Sequence, residues 1–132
     1  METILLVEDS KFLRIATERV LTKTGYRVIC AGDGEEALAQ ATAQLPDVVV
    51  LDMLLPKLSG PEVLRALKNN AGTAHIPVIV LSSLSQKNEN KLLHDGAAAF
   101  LEKGPLLDNP SLLLETVKAT LAKKAGASPG QP

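Results

Sequence analysis

The chain has 132 residues and a formal net charge of −1, with 45% apolar and only 2% aromatic residues. A chain this long buries a core without disulfides or structural metal, and here that core has to be aliphatic. Near-neutral charge with no basic run excludes an electrostatic footprint for nucleic acid or for an anionic membrane.

The amino end, Met1-Glu2-Thr3, lacks a basic region, and the apolar run Ile4–Val7 is cut short by Glu8-Asp9, too early for a signal peptide. No stretch reaches the length of a membrane span. The single cysteine, Cys30, cannot make an internal disulfide and lies in the apolar run 26–31, so it reads as a small buried hydrophobe in a reducing compartment. A soluble cytoplasmic protein is expected.

Two kinds of segment alternate along the chain. Short apolar runs at 4–7, 28–31, 48–51, 78–81 and 97–101 have the length and β-branched content of strands buried on both faces. Helical spacing lies between them. Phe12, Leu13, Ala16, Val20 and Leu21 form a stripe closed by Gly25. Ala37, Leu38, Ala41 and Leu45 form a second, ended by Pro46. Val63, Leu64 and Leu67 form a third, opened by Gly60-Pro61. Leu92, Leu93 and Ala97 mark a weaker fourth, and Leu113, Leu114, Val117 and Leu121 a fifth, with Asn109-Pro110 at its start. Strict alternation predicts an α/β fold, a five-stranded parallel sheet with helices on both faces. The domain is expected over residues 2–124. Residues 125–132 are small, polar and proline-rich, and read as a disordered tail or the start of a linker.

In such a sheet, ligands bind outside the carboxyl ends of the strands. The first strand ends in Glu8-Asp9, the third in Asp52, the fourth in Ser82-Ser83 and the fifth in Lys103. Taken singly, each is an ordinary turn, cap or surface residue; together they place three carboxylates, a hydroxyl and an ammonium at one edge. Two carboxylates about 4 Å apart repel by roughly 4 kcal/mol at an effective dielectric near 20. A hard divalent cation, Mg²⁺ or Mn²⁺ in its place, offsets that repulsion. Such a site suits phosphoryl transfer, with a carboxylate as nucleophile. His75 and His94 have no ligand spacing with another His or Cys and read as exposed. Gly32-Asp33-Gly34 reads as a turn and helix cap.

At these residues the sequence resembles the receiver domain of bacterial two-component response regulators. The likeness is carried by 4–10 (ILLVEDS), 50–56 (VLDMLLP) with Gly60, 76–82 (IPVIVLS), and Gly96-Ala97 through Phe100-Leu101-Glu102-Lys103. The resemblance implies a flavodoxin-like (βα)₅ fold with strand order 2-1-3-4-5. It implies that Asp52 accepts a phosphoryl group from a histidine kinase or histidine phosphotransfer protein. Glu8, Asp9, Asp52 and the Met53 carbonyl would hold the metal, Ser82 would bond a phosphoryl oxygen, and Lys103 would pair with it. Ser82 and Phe100 would act as the switch. The resemblance further implies that phosphorylation reshapes the face of the fourth helical segment, fifth strand and fifth helical segment. That face would engage a downstream protein or output domain, or a second copy of the chain. Leu54 and Leu84 fall where the family tunes water access, and apolar groups there imply a long-lived phosphoryl group. Two positions depart from the family: Gly104, not proline, follows Lys103, and the acidic pair is Glu-Asp.

Two other functional classes compete. A degenerate receiver that only docks proteins would lack the acceptor, hydroxyl or lysine, and Asp52, Ser82 and Lys103 are all present. A metal-dependent phosphohydrolase would want a second acid or base after Asp52, and residues 53–56 contain none.

Overall fold

The computed structural model describes residues 1–82 and 95–126. Five parallel strands, β1 Thr3–Val7, β2 Arg27–Ala31, β3 Val48–Asp52, β4 Val78–Ser82 and β5 Ala99–Glu102, form one sheet in the order β2-β1-β3-β4-β5. The apolar runs therefore became strands, and the order matches the one the resemblance implies. The inner three strands are buried almost throughout, whereas β2 and β5 are half-buried. Those two are the sheet edges, each with one neighbouring strand, and the expected double burial fails there for that reason.

The helices are α1 Lys11–Lys23, α2 Gly34–Gln44, α3 Gly60–Asn69, a short α4 Lys103–Asp108 and α5 Ser111–Gly126, and the expected fourth helical segment, marked by Leu92, Leu93 and Ala97, lies largely outside the described residues.

 The described residues thus hold five helices, α1 to α5. The readings made for Ser83, Leu84, Leu92, Leu93 and His94, and for residues 127–132, fall outside the described residues. Helix α5 runs to Gly126, two residues past the boundary expected at 124. Among the described residues no helix is long and apolar enough to cross a membrane.

The helix starts follow local chemistry. Ser10 caps α1 by accepting from Leu13 N, Asp33 caps α2 by accepting from Glu36 N, and Ser59 and Glu62 make a reciprocal capping box on α3 with Pro61 in the first turn. Helix α4 was not foreseen, and Lys103, read as a strand end, opens it. Asn109 accepts from Ser111 N at the start of α5, the role expected of it.

Alternation along each strand divides the core in two. Leu5, Val7, Val49, Leu51, Val78 and Val80 pack with Ala37, Ala41, Val63, Leu64 and Leu67 of α2 and α3. Ile4, Leu6, Val48, Val50, Ile79 and Leu81 pack on the other side with Leu21 of α1 and Leu113, Val117 and Leu121 of α5. Three expected stripe residues, Phe12, Ala16 and Leu45, are corrected, for all three are exposed. Phe12 is 77% exposed, because Leu13, Thr17, Val20 and Leu21 turn toward the sheet and Phe12 lies about 100° round the helix from Leu13. Leu45 is the left-handed cap residue of α2 (φ 46°) and is exposed. Cys30 is half-buried against the α1/α5 side of the core. His75 is exposed, as its lack of ligand spacing suggested.

Candidate functional site: an acidic pocket at the strand ends

Glu8 follows Ile4 and Leu6 in the alternation of β1, Asp52 follows Val48 and Val50 in β3, and Lys103 follows Ala99 and Leu101 in β5. All three therefore continue the α1/α5 side of the sheet, at its carboxyl edge. Lys103 Nζ lies 2.8 Å from Glu8 Oε1 and 3.0 Å from Asp52 Oδ2. Both carboxylates are buried, at 3% and 2% exposure. Asp9 is exposed, yet one oxygen from each of Glu8, Asp9 and Asp52 lies within 4.8 Å of the others.

Each buried group has a backbone partner as well. Asp52 Oδ1 accepts from Leu54 N (3.1 Å), and Glu8 Oε2 accepts from Ser10 N (3.2 Å). The Met53 carbonyl accepts from Gly60 N at 3.0 Å, so one of its two lone pairs is taken. Gly60 has to be glycine here: a Cβ would stand 2.4 Å from Met53 Cα and 2.6 Å from the Asp52 carbonyl oxygen. Ser82 is buried at the end of β4 and continues the α2/α3 side, the side on which Phe100 packs half-buried.

The charges perturb one another. Burial pushes the Glu8 carboxyl up from its ordinary value; the Lys103 hydrogen bond pulls the other way, and the charge of Asp52 adds to the rise. Burial works against the Lys103 ammonium too, but its bonds to Glu8 and Asp52 outweigh that and hold its pKa above the usual lysine value. Three carboxylates balanced by one ammonium leave a net negative pocket of hard oxygen donors, which fits a divalent cation of the Mg²⁺ type.

Sequence reasoning brought Glu8, Asp9, Asp52, Ser82 and Lys103 to one edge, and they are found there. It missed Arg14, whose Nη1 donates to the Glu8 carbonyl at 2.9 Å. No motif marks such a bond, because it joins a side chain to main chain. It also missed the Leu54 N–H on Asp52, which is a property of the turn and not of the side chain.

The fold and this pocket define a class, a five-stranded α/β domain with an acidic pocket at its strand ends, and comparison with known proteins gives the family. The family model for the response regulator receiver domain matches residues 4–118, and the chain belongs to that family. It is 44% identical over 105 residues to the gliding motility regulatory protein of Myxococcus xanthus, covering 78% of this chain and 13% of that protein. It is 34% identical over 123 residues to protein PilH of Pseudomonas aeruginosa, covering 92% of this chain and 99% of PilH. A crystal structure of a putative response regulator from Chloroflexus aurantiacus superposes with a TM-score of 0.84 at 32% identity, covering 92% of this chain and 98% of that one. The chain spans only 13% of the Myxococcus protein and 22% of the response regulator PleD of Caulobacter vibrioides. It is a receiver domain of two-component signalling, and receivers bind Mg²⁺ in an acidic pocket and serve as signalling modules.

Proposed function

We propose that Asp52 accepts a phosphoryl group from the phosphohistidine of a histidine kinase or histidine phosphotransfer protein. An Asp52 oxygen attacks phosphorus, the P–N bond breaks, and its electron pair returns to the imidazole. The product is an aspartyl phosphate. The reading rests chiefly on one observation: Asp52 is a buried strand-end carboxylate held 3.0 Å from the Lys103 ammonium beside two further carboxylates.

Glu8, Asp9 and Asp52 would hold Mg²⁺, or Mn²⁺, with the Met53 carbonyl completing the protein's share through its remaining lone pair. The bound cation supplies charge neutralisation to the transferring phosphoryl group. Lys103 neutralises a phosphoryl oxygen from the other side, and the Ser82 hydroxyl donates to another. Drawing Ser82 toward the phosphate would vacate space on the side of the sheet where Phe100 packs, and Phe100 would turn further inward. That movement would reshape the face made by residues 84–103 and α5, which then engages a downstream protein, an output domain or a second copy. The receiver unit is placed at residues 2–124, acting in the cytoplasm and without direct contact to nucleic acid.

Intact mass after incubation with acetyl phosphate and Mg²⁺ tests the reading. One hydroxylamine-labile phosphoryl group is expected on the native protein and none on Asp52→Asn. A labile phosphoryl group on Asp52→Asn would overturn it.

A further inference from the structure

Asp9 is the exposed member of the carboxylate cluster, and its placement depends on the peptide groups on either side of it. Both are held. The N–H of Ser10, which follows it, donates to Glu8 Oε2 at 3.2 Å. The carbonyl of Glu8, which precedes it, accepts from Arg14 Nη1 at 2.9 Å. Arg14 belongs to α1, is half-buried, and reaches back over the start of its own helix to do this. Gly32, at the end of β2, leaves room for the reach: a Cβ there would lie 3.3 Å from Nη1.

We infer that Arg14 is a positioning residue for the metal site: its guanidinium fixes the Glu8–Asp9 peptide and so aims the Asp9 carboxylate into the cluster. The inference rests on the proposed role of Glu8, Asp9 and Asp52 in holding the cation. Its sign is distinctive. A guanidinium is a positive charge near a cation site, so through charge alone its loss tightens cation binding. Through positioning, its loss weakens binding, because the carboxylate is no longer held in place. Groups that orient a metal ligand without touching the metal typically contribute about 10–100-fold in affinity. Arg14 acts through the main chain of the ligand pair, so the lower end, about tenfold, is expected.

Calorimetric titration of unphosphorylated protein with MgCl₂ is the test, with folding of each variant checked by circular dichroism. Arg14→Gln should bind Mg²⁺ about tenfold more weakly than the native protein. Arg14→Lys, which keeps a donor and the charge, should lose less. The loss should vanish when Arg14→Gln is made in an Asp9→Asn background, since a merely structural effect would add instead. Equal or tighter binding by Arg14→Gln, or an undiminished loss in the Asp9→Asn background, overturns the positioning role. Should Arg14→Gln fail to fold, Arg14→Lys decides: affinity equal to native overturns the role, and a partial loss cancelled by Asp9→Asn supports it. If the native protein binds no Mg²⁺ at all, the cation site itself fails, a result distinct from any difference among the Arg14 variants.

Discussion

Lys103 makes its shorter ion pair with Glu8, at 2.8 Å, and not with Asp52. The lysine therefore holds together two buried carboxylates that would otherwise face each other uncompensated. Breaking a fully buried pair costs ~3–5 kcal/mol. The Lys103 side chain is 22% exposed, so Lys103→Met should cost less, about 2 kcal/mol. Mg²⁺ should restore part of that loss, so its stabilising effect should be larger in Lys103→Met than in the native protein. Thermal melts with and without MgCl₂ check this; an equal metal-induced shift in both would remove Lys103 from the charge balance.

Gly60 lies against the backbone of the acceptor strand's end. Gly60→Ala places a Cβ where Met53 Cα and the Asp52 carbonyl already are. Overpacking of this kind costs ~1–3 kcal/mol. Because the displaced atoms carry Asp52, phosphorylation by acetyl phosphate should slow as well. Urea unfolding paired with the initial phosphorylation rate measures both, and a variant unchanged in both would contradict the close approach.

Phe12 and Leu21 sit on the same helix with opposite burial. Phe12→Ser should change stability by no more than ~0.5 kcal/mol. Leu21→Ala should cost ~2–5 kcal/mol, because Leu21 is fully buried against the sheet. Denaturant midpoints of the two variants settle the orientation of α1.

Burial pushes the Cys30 thiol up to about 11 from an ordinary value of 9.0, with Glu18 adding to the rise. A raised folded-state pKa means that the folded protein holds its proton longer than the unfolded chain. The stability this contributes is complete below about pH 9 and is lost as pH rises through about 11. The stability difference between native protein and Cys30→Ala should thus be constant up to pH 9 and shift against the native protein from there to pH 11. A difference that stays flat across that window would show a thiol more open to water than described.

Much of this was legible because the signals are local. Runs such as Val48–Leu51 and Val78–Leu81 are too short and too β-branched for helices, and polar residues directly after them mark the strand ends. Phe12 misled because the four apolar residues in the first two helical turns, Phe12, Leu13, Ile15 and Ala16, can be fitted to more than one face, and only the sheet decides between them. Helix α4 escaped notice because Gly104-Pro105 reads as a breaker, although proline is tolerated in a first turn. The bonds that hold the site in place, from Arg14 to the Glu8 carbonyl, from Leu54 N to Asp52 and from Gly60 N to Met53, each have a main-chain group on at least one side. Side-chain patterns carry no record of those.

The two-sided alternation has a consequence for how this chain tolerates insertions and deletions. Asp52 continues the α1/α5 side of the sheet and Ser82 the α2/α3 side, each by its count along a strand. Removing one residue from β3 would carry the acceptor carboxylate to the wrong side of the sheet, away from Glu8 and Lys103. Adding one to β4 would push Leu81 into the position of Ser82, sending a leucine to the hydroxyl's place. Strand length in this protein is thus counted in twos, whereas the turns at the opposite end of the sheet, such as residues 70–75, are free of that arithmetic and are the places where the chain can lengthen.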